Sequence, residues 1–187
     1  MSNYRLDVVS ATVADAVRHA GGLMFDRVRA GWRVVVVTND SADSTALTIL
    51  GTHTQSPGEP EEIPAKSGRV VRTRIMPADS LFVDRRPAGV PLNRAEPGSQ
   101  LLFWGPRVNC EPAGPVYPVR HELSPAARRF KAHALHAAGL ATHVEPSEEF
   151  WSNEVVDADL LVDVWLDSRI HAVESVARSP SPDLVGG

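Results

Sequence analysis

Four consecutive valines, with a helical pattern and a short β-rich run before them, constrain the fold most strongly. The segment "RVVVVTND" (Arg33 to Asp40) is an uninterrupted β-branched run that ends in turn-forming residues. Such a run favours a strand covered on both faces, as in a parallel sheet. Upstream, Tyr4 to Ser10 is the β-rich run. The three- and four-residue spacing of one helical face recurs at Val13, Val17, Ala20, Met24 and Val28. With Gly31 as the helix stop, the pattern predicts a right-handed strand–helix–strand crossover.

Prolines punctuate the middle of the chain. Of the 15 prolines, 11 lie between Pro57 and Pro118, which argues against long helices there. Three short β-like runs remain in this region: "RVVRTRI" (Arg69 to Ile75), "SLFVD" (Ser80 to Asp84) and "QLLFW" (Gln100 to Trp104). The polar stretch from Gly58 to Gly68 is typical of an exposed loop.

Helical order is predicted again from Ser124. In "SPAARRFKAHALHAAG", Ser124 is the expected cap, Pro125 the first helical residue and Gly139 the stop. Leu160 to Leu166 indicates a last strand. The pattern as a whole predicts one three-layer, Rossmann-like α/β domain over residues 1–178, with a mainly parallel sheet flanked by helices and a β-rich, proline-containing middle. A flexible tail is expected over residues 179–187.

Charge and cysteine usage exclude several classes of function. The net charge of −4 leaves no broad basic face for a nucleic acid. No apolar run reaches the roughly 20 residues that span a bilayer, and the first residues lack a signal-peptide pattern. The single Cys110 forms no internal disulfide and favours a reducing compartment. We therefore expect a cytoplasmic protein without nucleic-acid or membrane partners.

The opening of the chain also carries a family pattern. The segment from Ser10 to Thr38 resembles the start of the PIG-L-type, LmbE-like N-acetylglucosaminyl de-N-acetylases, which have A-H-P-D-D-E followed by V-L-G-x-G-G. The matching positions, without a gap, are Ala11, Asp15, Val17, Gly21 and Gly22. A glycine pair within a helix costs about 1 kcal/mol per residue relative to alanine, so helix propensity does not select it. "ALTILGT" (Ala46 to Thr52) is similar to the family's A-x-x-x-LG element.

The resemblance implies zinc-assisted hydrolysis of N-acetyl sugars, but the residues that perform it have changed. In the family, a His and an Asp of the first motif bind zinc with a later His, and the other Asp is the general base. Here Thr12 stands at the His position and Ala14 at the base position, and Asp15 remains. A neutral hydroxyl is a poor zinc donor, and alanine accepts no proton. The resemblance therefore predicts a degenerate member without the usual activity.

Thr12 and Asp15 have two interpretations. "TVAD" is a capping-box-like pattern, in which Thr12 accepts from the amide three residues on and Asp15 reaches back. Alternatively, these side chains line a ligand site with Asn39 and Asp40, because ligands bind beyond the carboxyl ends of strands in open α/β sheets. Trp104 and Arg107 are candidates for an anion or carbohydrate contact, against solvated loop charge as the plain interpretation.

The seven histidines suggest a weaker, metal-binding alternative. His133 and His136 share a helical face, and a rebuilt zinc site would combine them with Asp15 and His121. The plain interpretation leaves both helical histidines on a solvated face. Cys110 is a small buried hydrophobe or, with His121, a thiol nucleophile.

Two functional hypotheses follow from these residues. The first is a pseudoenzyme without cofactor that serves as a small-molecule-binding or interaction subunit. Its partner is a small polar or sugar-like ligand, a second copy of the chain or another protein. The alternative is a zinc-dependent amide hydrolase with a rebuilt metal site.

Overall fold

A computed structural model describes residues 4–40, 44–59, 70–81, 99–106, 116–152 and 170–172. These residues form eight strands and three α-helices. In chain order they are β1 (Tyr4–Val9), α1 (Val13–Arg29), β2 (Arg33–Val37), α2 (Ser44–Leu50), β3 (His53–Gln55), β4 (Val71–Pro77), β5 (Ser99–Trp104), β6 (Tyr117–Glu122), α3 (Pro125–Ala137), β7 (Ser147–Ser152) and β8 (Ile170–Ala172). No helix within these ranges has the length and apolar character needed to cross a membrane.

The strands lie in one sheet in the order β3-β2-β1-β4-β5-β7-β6-β8. The first five strands in this order are all parallel, and the predicted crossover through α1 connects the parallel pair β1 and β2. β7 is antiparallel to both of its neighbours, β5 and β6, and β8 is antiparallel to β6. The predicted α/β, Rossmann-like fold with a mainly parallel sheet and flanking helices is confirmed.

Apolar side chains are buried on both faces of the sheet. On one face, Leu6 and Val8 of β1 join a large cluster that includes the buried residues of α1 and α3. On the other face, Val9 packs with Met76 and Phe103. The valine run of β2 contributes to both faces, since Val34 and Val36 belong to the first cluster and Val37 packs against the second. This confirms the prediction that the run is covered on both faces.

An ion cluster on the second face ties β1 to β4. The carboxylate of Asp7 accepts from Arg5 Nε and Arg72 Nε at 2.6 Å each, and Arg74 Nη2 lies 3.9 Å away. The Asp7 side chain is only 2 % exposed. A buried carboxylate is tolerated because guanidinium groups surround it.

The helix ends follow the predicted signals. Gly31, after α1, has a φ of 82° and Gly139, after α3, has a φ of 69°, which is the left-handed region that favours glycine. Ser124 Oγ accepts from Ala127 N at 3.0 Å, and Pro125 is the first residue of α3. The predicted boundaries of both helices are confirmed because local chemistry determines them.

Some predicted elements differ from the structure. The strand predicted from Ser80 to Asp84 is wrong at its start, because Ala78–Leu81 is a short 3-10 helix that follows β4 directly. A short apolar run is compatible with either state, and burial of Ser80 fits both. By contrast, β2 ends at Val37, directly before the predicted turn formers, and Thr38 Oγ1 donates to Ala11 O. The strands β6 and β7 were not predicted.

Other predictions fall outside the described residues. They concern most of the loop (60–68), the run 82–84, Arg107, Cys110, the strand Leu160 to Leu166 and the tail 179–187.

Candidate functional site

The start of α1 brings two of the predicted site residues together. Thr12 is the N-cap, and its Oγ1 accepts from Asp15 N at 3.1 Å. Asp40, which follows β2, accepts from Val13 N at 2.9 Å through Oδ2. Thr38 Oγ1 accepts from Asp40 N and fixes this turn. Thr12 and Asp40 therefore both satisfy amides that the first turn of a helix leaves open.

The other two residues of this predicted crevice have different surroundings. The Asp15 carboxylate lies 3.8 Å from Arg18 Nη1 in an exposed pair one turn along the helix. Asn39 is exposed in the turn after β2. The structure thus confirms the capping bond from Thr12, whereas Asp15 turns towards Arg18.

Thr12→Ala is expected to lower the free energy of unfolding by about 1 kcal/mol, because the Asp15 amide loses its acceptor. Thr12→Ser keeps the hydroxyl and is expected to change it by only a few tenths of a kcal/mol. Urea denaturation of the two variants measures the difference. An equal loss in both variants would show that the methyl group, and not the cap, determines the effect.

A cleft of about 510 Å³ opens beyond the carboxyl end of β5, between α1, α3 and the start of β7. We call it the α1–α3 cleft. Its polar lining consists of Arg18, His19, Lys131, His143, Glu145, Ser147, Glu148 and Glu149. Its remaining lining consists of Gly105, Leu135, Leu140, Ala141 and Val144. Charges of both signs beside an apolar wall are typical of sites that hold small polar ligands.

His19 lines this cleft and is half-buried. Its ring stacks on Trp104, with centroids 5.7 Å apart and planes 7° apart. Burial, the largest cause, lowers the pKa of His19 below its ordinary value of 6.5, against the opposing charge of Asp15. His19 is therefore neutral near pH 7 and offers a hydrogen-bond acceptor. The predicted site residue Trp104 is only 4 % exposed, so it supports the cleft from behind.

The floor of the cleft is a buried ion pair. Lys131 Nζ donates to Glu148 Oε1 at 2.6 Å, and the two side chains are 8 % and 3 % exposed. Glu148 also accepts from two amides in the middle of α1, those of Gly22 at 2.8 Å and Leu23 at 2.9 Å. Three donors satisfy this carboxylate, which makes it a fixed part of the cleft.

The glycine pair of α1 has a packing explanation. A Cβ on Gly22 would lie 2.7 Å from Leu123 Cδ1, and a Cβ on Gly21 would lie 3.3 Å from Lys131 Cγ. Bare backbone at these two positions lets Leu123 and the Lys131–Glu148 pair approach α1. Gly22, one of the two glycines that contribute to the family resemblance, is therefore also required by the packing of this chain.

The residues of the alternative, metal-binding prediction do not come together in the structure. Among the residues that the structure describes, no three His, Cys, Asp or Glu side chains lie close enough to hold a metal ion. His121 is buried and its Nε2 lies 3.0 Å from Asp26 Oδ2, while His133 and His136 are exposed on α3. Asp15, His121, His133 and His136 are thus not brought into one cluster.

Asp26 connects α1, β6 and α3. Its carboxylate binds His121, and it accepts from Ser124 Oγ at 2.6 Å and Ser124 N at 3.2 Å. Burial alone would raise the pKa of Asp26, but the hydrogen bonds from His121 and Ser124 outweigh burial and hold the pKa below its ordinary value of 3.8. Because Ser124 Oγ also accepts from Ala127 N as the cap of α3, these bonds tie α1 and β6 to the start of α3.

We expect Asp26 to make the stability of the protein depend on acid pH. A carboxyl group with a lowered pKa in the folded state stabilises fully above 3.8, and this contribution is lost as pH falls towards the folded-state pKa. Asp26→Asn should remove this part of the pH dependence. Urea unfolding from near neutral pH to about pH 2 measures it. Asp15→Asn is the control with the same charge change; matching curves for both variants would contradict the assignment.

Sequence reasoning missed His19, Lys131 and Glu148. One signal was present: Lys131 shares the buried stripe of α3 with Ala127, Ala134 and Leu135. A lysine on an apolar stripe indicates a buried partner, because an unpaired buried charge is costly. Nothing in the local sequence identifies Glu148 as that partner.

No protein-family model matches this sequence, and no curated protein matches it.

Proposed function

We propose that this chain is a degenerate PIG-L/LmbE-like protein that binds a small polar molecule in the α1–α3 cleft without zinc-dependent deacetylase chemistry. The observation that carries the proposal is the cleft itself. It combines about 510 Å³ of space with a neutral histidine, exposed charges of both signs and a rigid ion-paired floor. The cleft lies on the side of the sheet at which the parallel strands end, and open α/β sheets bind ligands on that side. The single cysteine supports a cytoplasmic setting.

The residues at the family's zinc positions do not fit the metal. Thr12 offers a neutral hydroxyl, which already accepts from Asp15 N, and Ala14 has no proton acceptor. Asp15 lies beside Arg18, whose charge competes with a cation. These residues support binding without hydrolysis, since neither the activated water nor the base of the family mechanism has a place among them.

Several groups in the cleft suit a sugar-like ligand. His19, held flat on Trp104, offers a ring nitrogen as an acceptor. Glu145 and Glu149 are exposed acceptors, and Arg18 is an exposed donor. The apolar wall of Leu135, Leu140 and Val144 matches the C–H face of a pyranose ring. Fixed polar groups beside an apolar surface orient such a ligand.

The test is titration of the full chain with three sugars of different charge: neutral N-acetylglucosamine, cationic glucosamine and anionic glucuronate. We expect saturable binding of at least one probe by calorimetry or amide NMR shifts. His19→Ala and Glu149→Ala should weaken it by roughly tenfold, the value of one charged or buried hydrogen bond. His133→Ala is the matched control, because His133 is an exposed histidine of α3 outside the cleft.

Two kinds of result would contradict the proposed function. Absence of saturable binding for all three probes, or equal weakening by His133→Ala, would overturn the assignment to this cleft. Metal analysis of protein purified without chelator distinguishes the proposed binding function from the hypothesis of a zinc-dependent hydrolase. Stoichiometric zinc, with release of acetate from N-acetylglucosamine that Asp15→Ala abolishes, would replace the proposal with a zinc-dependent amide hydrolase.

A further inference from the structure

Residues 124–142 carry an excess of positive charge, although the chain as a whole is acidic. The protein has a net charge of −4, yet residues 124–142 contain no Asp or Glu. Of the cations in this segment, Lys131 is neutralised by Glu148 in the interior. Arg128 and Arg129 remain exposed on α3. No ion pair joins either arginine to another residue of the described ranges.

These two arginines face a second cavity, of about 450 Å³, which we call the arginine cavity. Its polar lining is Arg128, Arg129, Thr142 and His143, and its apolar lining is Pro125, Ala132 and Val144. Among the described residues, no carboxylate belongs to this lining. One side chain of this lining has an acidic neighbour, since His143 Nε2 lies 2.9 Å from Glu145 Oε1.

Guanidinium groups donate hydrogen bonds and accept none, and their fork matches the oxygens of a phosphate or carboxylate. Two guanidiniums, a hydroxyl and an imidazole around one concave space therefore suit a compact anion with several oxygens. A polyanion such as nucleic acid fits less well, because the chain as a whole repels it at long range.

The arginine cavity shares a wall with the α1–α3 cleft, since His143 and Val144 line both. We infer that the arginine cavity binds the phosphate group of a phosphorylated small molecule whose remaining part occupies the α1–α3 cleft. This inference rests on the binding role proposed above. It defines the ligand class as a phosphate monoester of a small polar molecule.

The first experiment titrates inorganic phosphate alone into the full chain near neutral pH. Saturable binding is expected, and Arg128→Gln and Arg129→Gln should each weaken it by roughly tenfold. Arg29→Gln is the matched control, because Arg29 is an exposed helical arginine that lines neither space. Equal loss in all three variants would mean general charge attraction, and absence of saturation would mean no site; either result overturns the inference.

The second experiment compares glucose 6-phosphate with inorganic phosphate and with glucose. Tighter binding of the sugar phosphate than of either fragment, with the gain removed by His19→Ala, is the expected result. Equal affinity for inorganic phosphate and glucose 6-phosphate would overturn the inference that one ligand occupies both spaces. The arginine cavity would then be a site for free phosphate. If N-acetylglucosamine, glucosamine and glucuronate also fail to bind, the proposed function fails as well. Failure of the phosphate inference and failure of the proposed function are therefore distinguishable.

Discussion

Glu148→Leu is expected to lower the free energy of unfolding by about 3–5 kcal/mol, the largest loss among the substitutions considered. Removal of this carboxylate leaves the Lys131 ammonium, whose side chain is 8 % exposed, without a counter-charge. It also removes the acceptor of two amides in the middle of α1, those of Gly22 and Leu23. A buried donor without a partner retains its full desolvation cost.

Two further variants identify the cause of this loss. Glu149→Leu is the matched control, because Glu149 is the next residue of β7 and its exposed side chain pairs with the exposed Arg120. We expect it to change the free energy of unfolding by less than about 0.5 kcal/mol. Lys131→Met combined with Glu148→Leu should be more stable than Glu148→Leu alone, since the stranded charge is gone. Guanidinium unfolding measures all three, and a double variant no better than the single one would contradict the ion-pair explanation.

The elements that the sequence predicts are those defined by neighbouring residues. α1 is recognisable because its buried face, its Thr12 cap and the Gly31 stop all lie within twenty residues of one another. The valines of β2 identify a buried strand without knowledge of its partners. β4 and β5 follow from short β-branched and apolar runs in the same way. Local hydrogen bonding and hydrophobic periodicity determine these parts of the fold.

The antiparallel part of the sheet could not be predicted in this way. β6 contains Pro118, Arg120 and His121, and β7 begins Ser-Glu-Glu, so neither segment has the apolar alternation of a typical strand. Their pairing instead places Val119 opposite Phe150, both buried against the helices. The insertion of β7 between β5 and β6 depends on contacts between segments far apart in the chain.

The sequence predicts cap and turn residues at the start of α1, but these residues do not line the α1–α3 cleft. Thr12 and Asp40 are recognisable because cap and turn residues have local sequence signals, and the structure brings them together at the start of α1. The centre of the α1–α3 cleft depends on Glu148, which lies 126 positions from its hydrogen-bond partner Gly22. No periodicity or spacing rule connects residues at that separation. A glycine pair in a helix indicates that another segment of the chain packs closely against the helix, but it does not identify that segment.

Gly22→Ala is expected to lower the free energy of unfolding by about 1–3 kcal/mol, the cost of overpacking a filled interior. An alanine in a helix normally gains about 1 kcal/mol over glycine, so the substitution would stabilise an open site. Here the new Cβ would lie 2.7 Å from Leu123 Cδ1, and Leu123 is only 6 % exposed. The methyl group therefore displaces Leu123 and disturbs the backbone that donates to Glu148.

Gly21→Ala is the matched control for this prediction, since its Cβ would meet the flexible Lys131 Cγ at 3.3 Å. We expect it to be close to neutral, because the helix preference for alanine offsets a small shift of the lysine stem. Leu123→Ala should relieve the clash, although it costs about 2–5 kcal/mol by itself. In a double-variant cycle with Gly22→Ala, the combined loss should fall short of the sum of the single losses by about 0.5–3 kcal/mol. Simple additivity would show that Leu123 does not exclude a side chain at this position, and the steric requirement for glycine would be wrong.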